Sequence, residues 1–80
     1  EVSIIAVRAE DGQLAFYPIA ENVHHDGILR YSIAPAPKLE KHVQEDAERY
    51  IKALLNELGY VGVLALELFE TAEGLVANEP

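Results

Sequence analysis

Leu39-Glu-Lys-His-Val43-Gln-Glu-Asp-Ala47-Glu-Arg-Tyr50-Ile51-Lys-Ala-Leu54-Leu55-Asn-Glu-Leu58-Gly59 is the stretch that decides the fold. Leu39, Val43, Ala47, Tyr50, Ile51, Leu54, Leu55 and Leu58 recur at helical spacing, and charged residues fill the other face. Gly59 stands where a helix C-cap glycine belongs. The pattern predicts one helix over residues 39–58, about 30 Å long at the usual rise per residue. Its apolar stripe requires a sheet to pack against, with Lys41, Glu45, Glu48 and Lys52 left as a solvated face.

Outward from the helix, the period changes to that of strands. Val2 to Ala9 is rich in β-branched residues, and Asp11-Gly12 predicts a two-residue type I′ hairpin, which needs positive φ at both positions. Gln13 to Ile19 reads as the returning strand, with Pro18 at its edge or end. Asn22 to Gly27 is polar and turn-like, and Ile28 to Ala34 reads as a short strand stopped by Pro35 and Pro37. Beyond the helix, Val61 to Glu70 is apolar on both faces except at Glu67, Ala72-Glu73-Gly74 is a loop, and Leu75 to Glu79 returns. Hairpins around one long helix predict an α+β fold with a mainly antiparallel sheet. The helix should cover one face and leave the other poorly covered.

Eighty residues suit one small domain with a marginal core. With 50% hydrophobic and 25% charged residues, the composition is that of a globular chain. No apolar run approaches the roughly 20 residues needed to cross a bilayer, and nothing reads as a signal peptide, so no membrane role is expected. The absence of cysteine removes disulfides and thiolate metal sites and is compatible with a cytoplasmic setting. A net charge of −8 argues against a nucleic-acid binder, which needs clustered Lys and Arg. It permits a nucleotide site in which a divalent metal lies between carboxylates and phosphates, although acidity also serves plain solubility.

Glu67 is the anomaly in an apolar strand, on the same face as Val63, Ala65 and Phe69, where an uncompensated carboxylate would be costly. A three-residue loop with Gly74 in the left-handed position pairs Thr71 with Leu75 and sets Glu67 opposite Glu79. Opposed carboxylates repel unless a cation such as Mg²⁺ bridges them. The alternatives are a wet sheet edge or a basic partner for Glu67, and a slip of one residue moves Glu79 to the other face. His24 and His25, being adjacent, point oppositely in a strand and cannot share a metal; a histidine in a polar turn is ordinarily exposed. The turn at Asp11-Gly12 sets Glu1 across from Asn22, close to His24. Asp26-Gly27 reads as turn chemistry, and Arg30 as either a phosphate or carboxylate contact or a surface arginine. No nucleophile–base pair, phosphate-cradling glycine loop or zinc spacing is present, so no catalytic residue is assigned.

Tyr17-Pro-Ile-Ala-Glu-Asn-Val-His-His-Asp-Gly-Ile-Leu-Arg30 with Ser32 and the Ala-Pro-Ala-Pro of 34–37, then Glu57-Leu-Gly-Tyr-Val-Gly-Val63, Ala65-Leu-Glu-Leu-Phe69 and Asn78-Glu79, resembles the 5-(carboxyamino)imidazole ribonucleotide synthase family of ATP-grasp enzymes. The resemblance spans nearly the whole chain. It implies a portion of an ATP-grasp domain, with ATP and Mg²⁺ as cofactors and 5-aminoimidazole ribonucleotide and bicarbonate as substrates. It further implies a cytoplasmic homodimer at full length. Glu1 would hold the ATP ribose hydroxyls, His24 the nucleotide, Glu67 and Glu79 the Mg²⁺, and Asn78 with Glu79 the metal–phosphate end. His25 falls where the family varies. The N-terminal nucleotide-fold domain, the lysines and glycine loop that cover the phosphates, and the substrate segment after Asn-Glu are expected elsewhere. The chain thus reads as a fragment, inactive in isolation. Another ATP-grasp carboxylase or transformylase is the neighbouring alternative, because the Glu67/Glu79 pair is common to all of them. A non-catalytic acidic α+β interaction module is the alternative from a different class.

Overall fold

The computed structural model describes residues 1–37 and 40–77. Its elements in chain order are β1 (Val2–Arg8), β2 (Leu14–Phe16), β3 (Ala20–His25), β4 (Ile28–Ile33), α1 (Lys41–Leu58), β5 (Gly62–Thr71) and β6 (Gly74–Ala77). Among the described residues the strands form one antiparallel sheet in the order β4-β3-β1-β5-β6, with β2 beside the far end of β1. This is the expected α+β architecture.

Alternation along β1 and β5 sorts the sheet into two faces. Val2, Ile4, Ala6 and Leu68 point to α1 and meet its buried row Val43, Ala47, Ile51 and Leu55. Four residues spaced by four along one helix make a narrow seam, so Tyr50 and Leu58 of the predicted apolar stripe stay exposed. Gly59 takes the left-handed conformation (φ 61, ψ 34) and ends α1, with its N–H and that of Tyr60 returning to Asn56 O and Leu55 O. The Arg8 guanidinium, reaching over from β1, donates to Leu55 O and Asn56 Oδ1 at the same helix end. The other sheet face is uncovered: Val63, Glu67, Phe69 and Val76 are all exposed there.

The hairpins depart from the sequence reading in an instructive way. Asp11 does not adopt positive φ, so Asp11-Gly12 is not a type I′ turn. A three-residue loop, Glu10-Asp11-Gly12, joins β1 to β2, closed by Gly12 N–H to Ala9 O and by Asp11 Oδ1 accepting from Gln13 N–H. The type I′ geometry occurs at Asp26-Gly27 instead (φ 52 and 76), where it links β3 to β4 directly. Asn22 to His25, predicted to be a turn, therefore belongs to strand β3. Pairing with β1 and β4 overrides the polar composition, since alternate residues of β3 have different surroundings.

The predicted strand Gln13–Ile19 stops at Phe16, and Tyr17–Ile19 lead into β3. Ala6 lies opposite Phe16, and an unbroken ladder would put Ser3 opposite Ile19; it lies opposite Ala20. One extra residue is thus accommodated beside Pro18, which has no N–H to give the ladder. Gln44 of α1 supports this bulge, its Oε1 accepting from Ile19 N–H at 2.8 Å and its Nε2 donating to Tyr17 O at 3.3 Å. Ile19 O accepts from Ala36 N–H, so both main-chain groups of this buried residue are satisfied.

At the last hairpin, Thr71 pairs with Gly74 and Glu70 with Leu75 across a two-residue loop, Ala72-Glu73. This is one residue out of step with the predicted Thr71–Leu75 pairing, although Gly74 keeps a positive φ of 121. Thr71 Oγ1 closes the turn by donating to Gly74 O and accepting from Glu73 N–H. The Thr71–Leu75 pairing on which Glu67 was set opposite Glu79 does not occur; Asn78 and Glu79 themselves lie outside the described residues, as does Leu39 of the predicted helix start.

Candidate functional site

Three of the residues singled out from sequence arrive at one place. A hollow of about 430 Å³ opens on the uncovered sheet face, and Glu1, His24 and Glu67 all line it. They come from the start of β1, from β3 and from the middle of β5. Ile5, Leu29 and Ala65 form its apolar part.

The β2–β3 bulge brings His24 there. Without it Glu21 and Val23 would face the hollow, because a shift of one residue exchanges the faces of a strand. With it Asn22 and His24 do. Asn22 N–H donates to Glu1 O at 2.9 Å, which is the predicted Glu1–Asn22 pairing. The pairing is right for a reason the sequence reading did not contain: the longer turn moves the ladder one residue one way, and the bulge moves it back. His24 Nε2 lies 3.6 Å from Glu1 Oε1, with Glu1 only 13% exposed and His24 39% exposed.

Glu67 is on the open face, directly across from Ser3. The cost attributed to an uncompensated carboxylate in an apolar strand does not arise here, because this face is open to water. Among the described residues no three His, Asp or Glu side chains are grouped closely enough to cage a metal. Mg²⁺ commonly takes one or two carboxylates and keeps waters and phosphate oxygens for the rest. Glu67 has the hard oxygen donors for such an ion.

Ser3, Asn22 and Ser32 were not among the sequence candidates, yet they form a polar row into the hollow. Ser32 Oγ donates to Asn22 Oδ1 at 2.7 Å, and Asn22 Nδ2 donates to Ser3 Oγ at 3.3 Å. Their signal was the alternation Asn22-x-His24 on a strand that had been read as a turn. His25 pairs with neighbouring Asp26 at 3.4 Å, both strongly exposed and turned away from the hollow. Arg30 is an exposed residue at a register shift between β3 and β4. A larger hollow of about 550 Å³ lies between α1 and the β5–β6 hairpin, but it gathers none of the sequence candidates. Convergent chemistry outweighs size in choosing between the two.

The profile of the ATP-grasp domain family matches residues 1–80. N5-carboxyaminoimidazole ribonucleotide synthase of Escherichia coli is 48% identical over 99% of this chain, which covers 22% of that protein. The enzyme of the same name from Pseudomonas aeruginosa is 49% identical over the same share, covering 21% of it. The crystal structure of N5-carboxyaminoimidazole ribonucleotide synthetase from Thermus thermophilus superposes with a TM-score of 0.91 at 51% identity, over 98% of this chain and 22% of that one. A solved ADP complex of a synthetase of that name is 42% identical with a TM-score of 0.86, over 98% and 21%. The chain thus spans about a fifth of the length of the relatives it matches. No described helix is long and apolar enough to cross a membrane.

Proposed function

From the premise that this chain belongs to the ATP-grasp family, we propose that it forms one wall of the nucleotide site of an ATP-dependent ligase. The ligase carboxylates 5-aminoimidazole ribonucleotide in purine biosynthesis. The observation that carries the reading is the convergence of Glu1, His24 and Glu67, from three strands, on one hollow in the open sheet face. The names of the relatives favour this chemistry over a transformylase, and the similar ADP-bound synthetase supports nucleotide as the ligand.

In this reading Glu1 accepts hydrogen bonds from the ribose diol, a task suited to an acceptor-only carboxylate, and His24 beside it contacts the nucleotide. Glu67 holds Mg²⁺, together with Glu79; Asn78 and Glu79 are assigned to the metal–phosphate end. Bound there, the ion neutralises charge on the phosphates. The γ-phosphoryl group of ATP passes to a bicarbonate oxygen, giving ADP and carboxyphosphate. The substrate amine then bonds to the carboxyl carbon as the C–O bond to phosphate breaks, releasing phosphate and a proton. This segment contributes placement and electrostatics, the principal demands of phosphoryl transfer. Groups that cover the phosphates and contact the second substrate belong to the rest of the complete protein, so the 80-residue segment alone should not turn over. A cytoplasmic homodimer is part of the same proposal.

The test is ADP release by the complete protein. Release that requires both 5-aminoimidazole ribonucleotide and bicarbonate is expected. Release supported by formate in place of bicarbonate, or no thermal stabilisation by ATP, would overturn the assignment in favour of a transformylase or an interaction module respectively.

A further inference from the structure

We infer that Ser3, held by Asn22, is a positioning residue that orients the Glu67 carboxylate. The inference deepens the proposed function, since it rests on Glu67 holding the metal. The polarity of the hydrogen-bonded row carries it. Ser32 Oγ donates to Asn22 Oδ1, which occupies the amide oxygen on the β4 side and turns the amide nitrogen towards β1. That nitrogen donates to Ser3 Oγ. A hydroxyl has one proton and two lone pairs, so Ser3, already accepting, has its proton to give elsewhere.

Glu67 is where that proton goes. It is the cross-strand partner of Ser3 on β5, and both side chains line the same hollow. Directly opposed residues hold their Cβ atoms about 5 Å apart, within reach of a hydroxyl–carboxylate bond. Ile5 and Val7, the next β1 residues on this face, carry no donor. A bond from a neutral hydroxyl to an ionised carboxylate is charge-assisted and directional. It engages one Glu67 oxygen and leaves the other aimed at the ion. The row therefore transmits the geometry of β4 and β3 to a ligand on β5.

The experiment measures Mn²⁺, a paramagnetic probe for the Mg²⁺ site, by electron paramagnetic resonance in the complete protein saturated with ADP. Ser3→Ala should weaken Mn²⁺ binding about 10-fold, the scale of losing a partner that orients a metal ligand. Metal-free ADP affinity should change less than twofold. Ser3→Thr, which keeps the hydroxyl, should restore the metal affinity. In a Glu67→Gln background, Ser3→Ala should add nothing further, because its effect acts through that carboxylate. Weakening by Glu67→Gln but not by Ser3→Ala, or equal losses from Ser3→Ala in both backgrounds, overturns the inference and leaves the site reading intact. No effect of Glu67→Gln on Mn²⁺ overturns the site reading and the inference with it.

Discussion

Gln44→Leu is the substitution that best separates the bulge from the rest of the fold. The change removes two main-chain hydrogen bonds, and the one that Gln44 Nε2 gives to Glu48 Oε2, without opening a cavity, since leucine is the slightly larger side chain. Ile19 is 1% exposed, and its N–H has Gln44 Oε1 as its partner at 2.8 Å. Leaving a buried donor unsatisfied costs about 1–3 kcal/mol. Tyr17 is exposed, so water can replace Gln44 at its carbonyl at little cost. The sum is about 2 kcal/mol, concentrated at residues 17–19. In local opening this corresponds to roughly 30-fold faster amide exchange. Hydrogen–deuterium exchange of the complete protein should show that acceleration in peptides covering Tyr17–Ala20, with the α1 and β5 peptides changing much less. ADP binding should weaken as well, because the bulge is what turns Asn22 and His24 to the open face. Exchange at Tyr17–Ala20 within twofold of wild type would refute the role assigned to Gln44.

Four further outcomes test the packing and the C-terminal end of α1. Ile51→Ala should cost about 2–5 kcal/mol in urea unfolding, because Ile51 is fully buried against β1 and β5. Leu58→Ala, at 60% exposure, should stay within about 0.5 kcal/mol. Gly59→Ala should lose about 1 kcal/mol in the same assay, from backbone conformation alone, since no atom of the described residues beyond its chain neighbours and the helix backbone lies within 4 Å of the added methyl group. Arg8→Met should cost no more than about 1 kcal/mol, because losing a cation at a helix C-terminus is offset by removing a buried Nε that has no hydrogen-bond partner among the described residues.

Much of the architecture was legible because its signals are local. The α1 seam, the Gly59 cap and the β5–β6 hairpin each follow from a period or a glycine within a few residues. The β3 strand was not legible, since Asn22, His24 and His25 have turn-like composition and become strand only through partners on β1 and β4. The choice between two Asp-Gly turns was equally hidden: both permit type I′, and the length of ladder on either side decides which adopts it. The approach of Glu1 to Asn22 and His24 was legible in outline, whereas Glu67 joins them only through the β1–β5 pairing. Ser3 and Asn22 were missed because a polar residue in a strand becomes informative only when its cross-strand neighbour is known.

A carboxylate among Val63, Ala65 and Phe69 demands compensation when that face is removed from water, and here the face is open. The relatives are about five times longer than this chain, and ATP-grasp chemistry requires the nucleotide to be shielded from bulk solvent. Under the proposed function that demand on Glu67 arises with the shielding, when a cation and phosphates meet it. On the open face the carboxylate keeps access to water, so an apolar strand carries it at little cost. If Glu67 holds the proposed ion, metal affinity and exclusion of water from the face are coupled, and a variant of the complete protein that admits water to this face should weaken Mn²⁺ binding without touching a ligand.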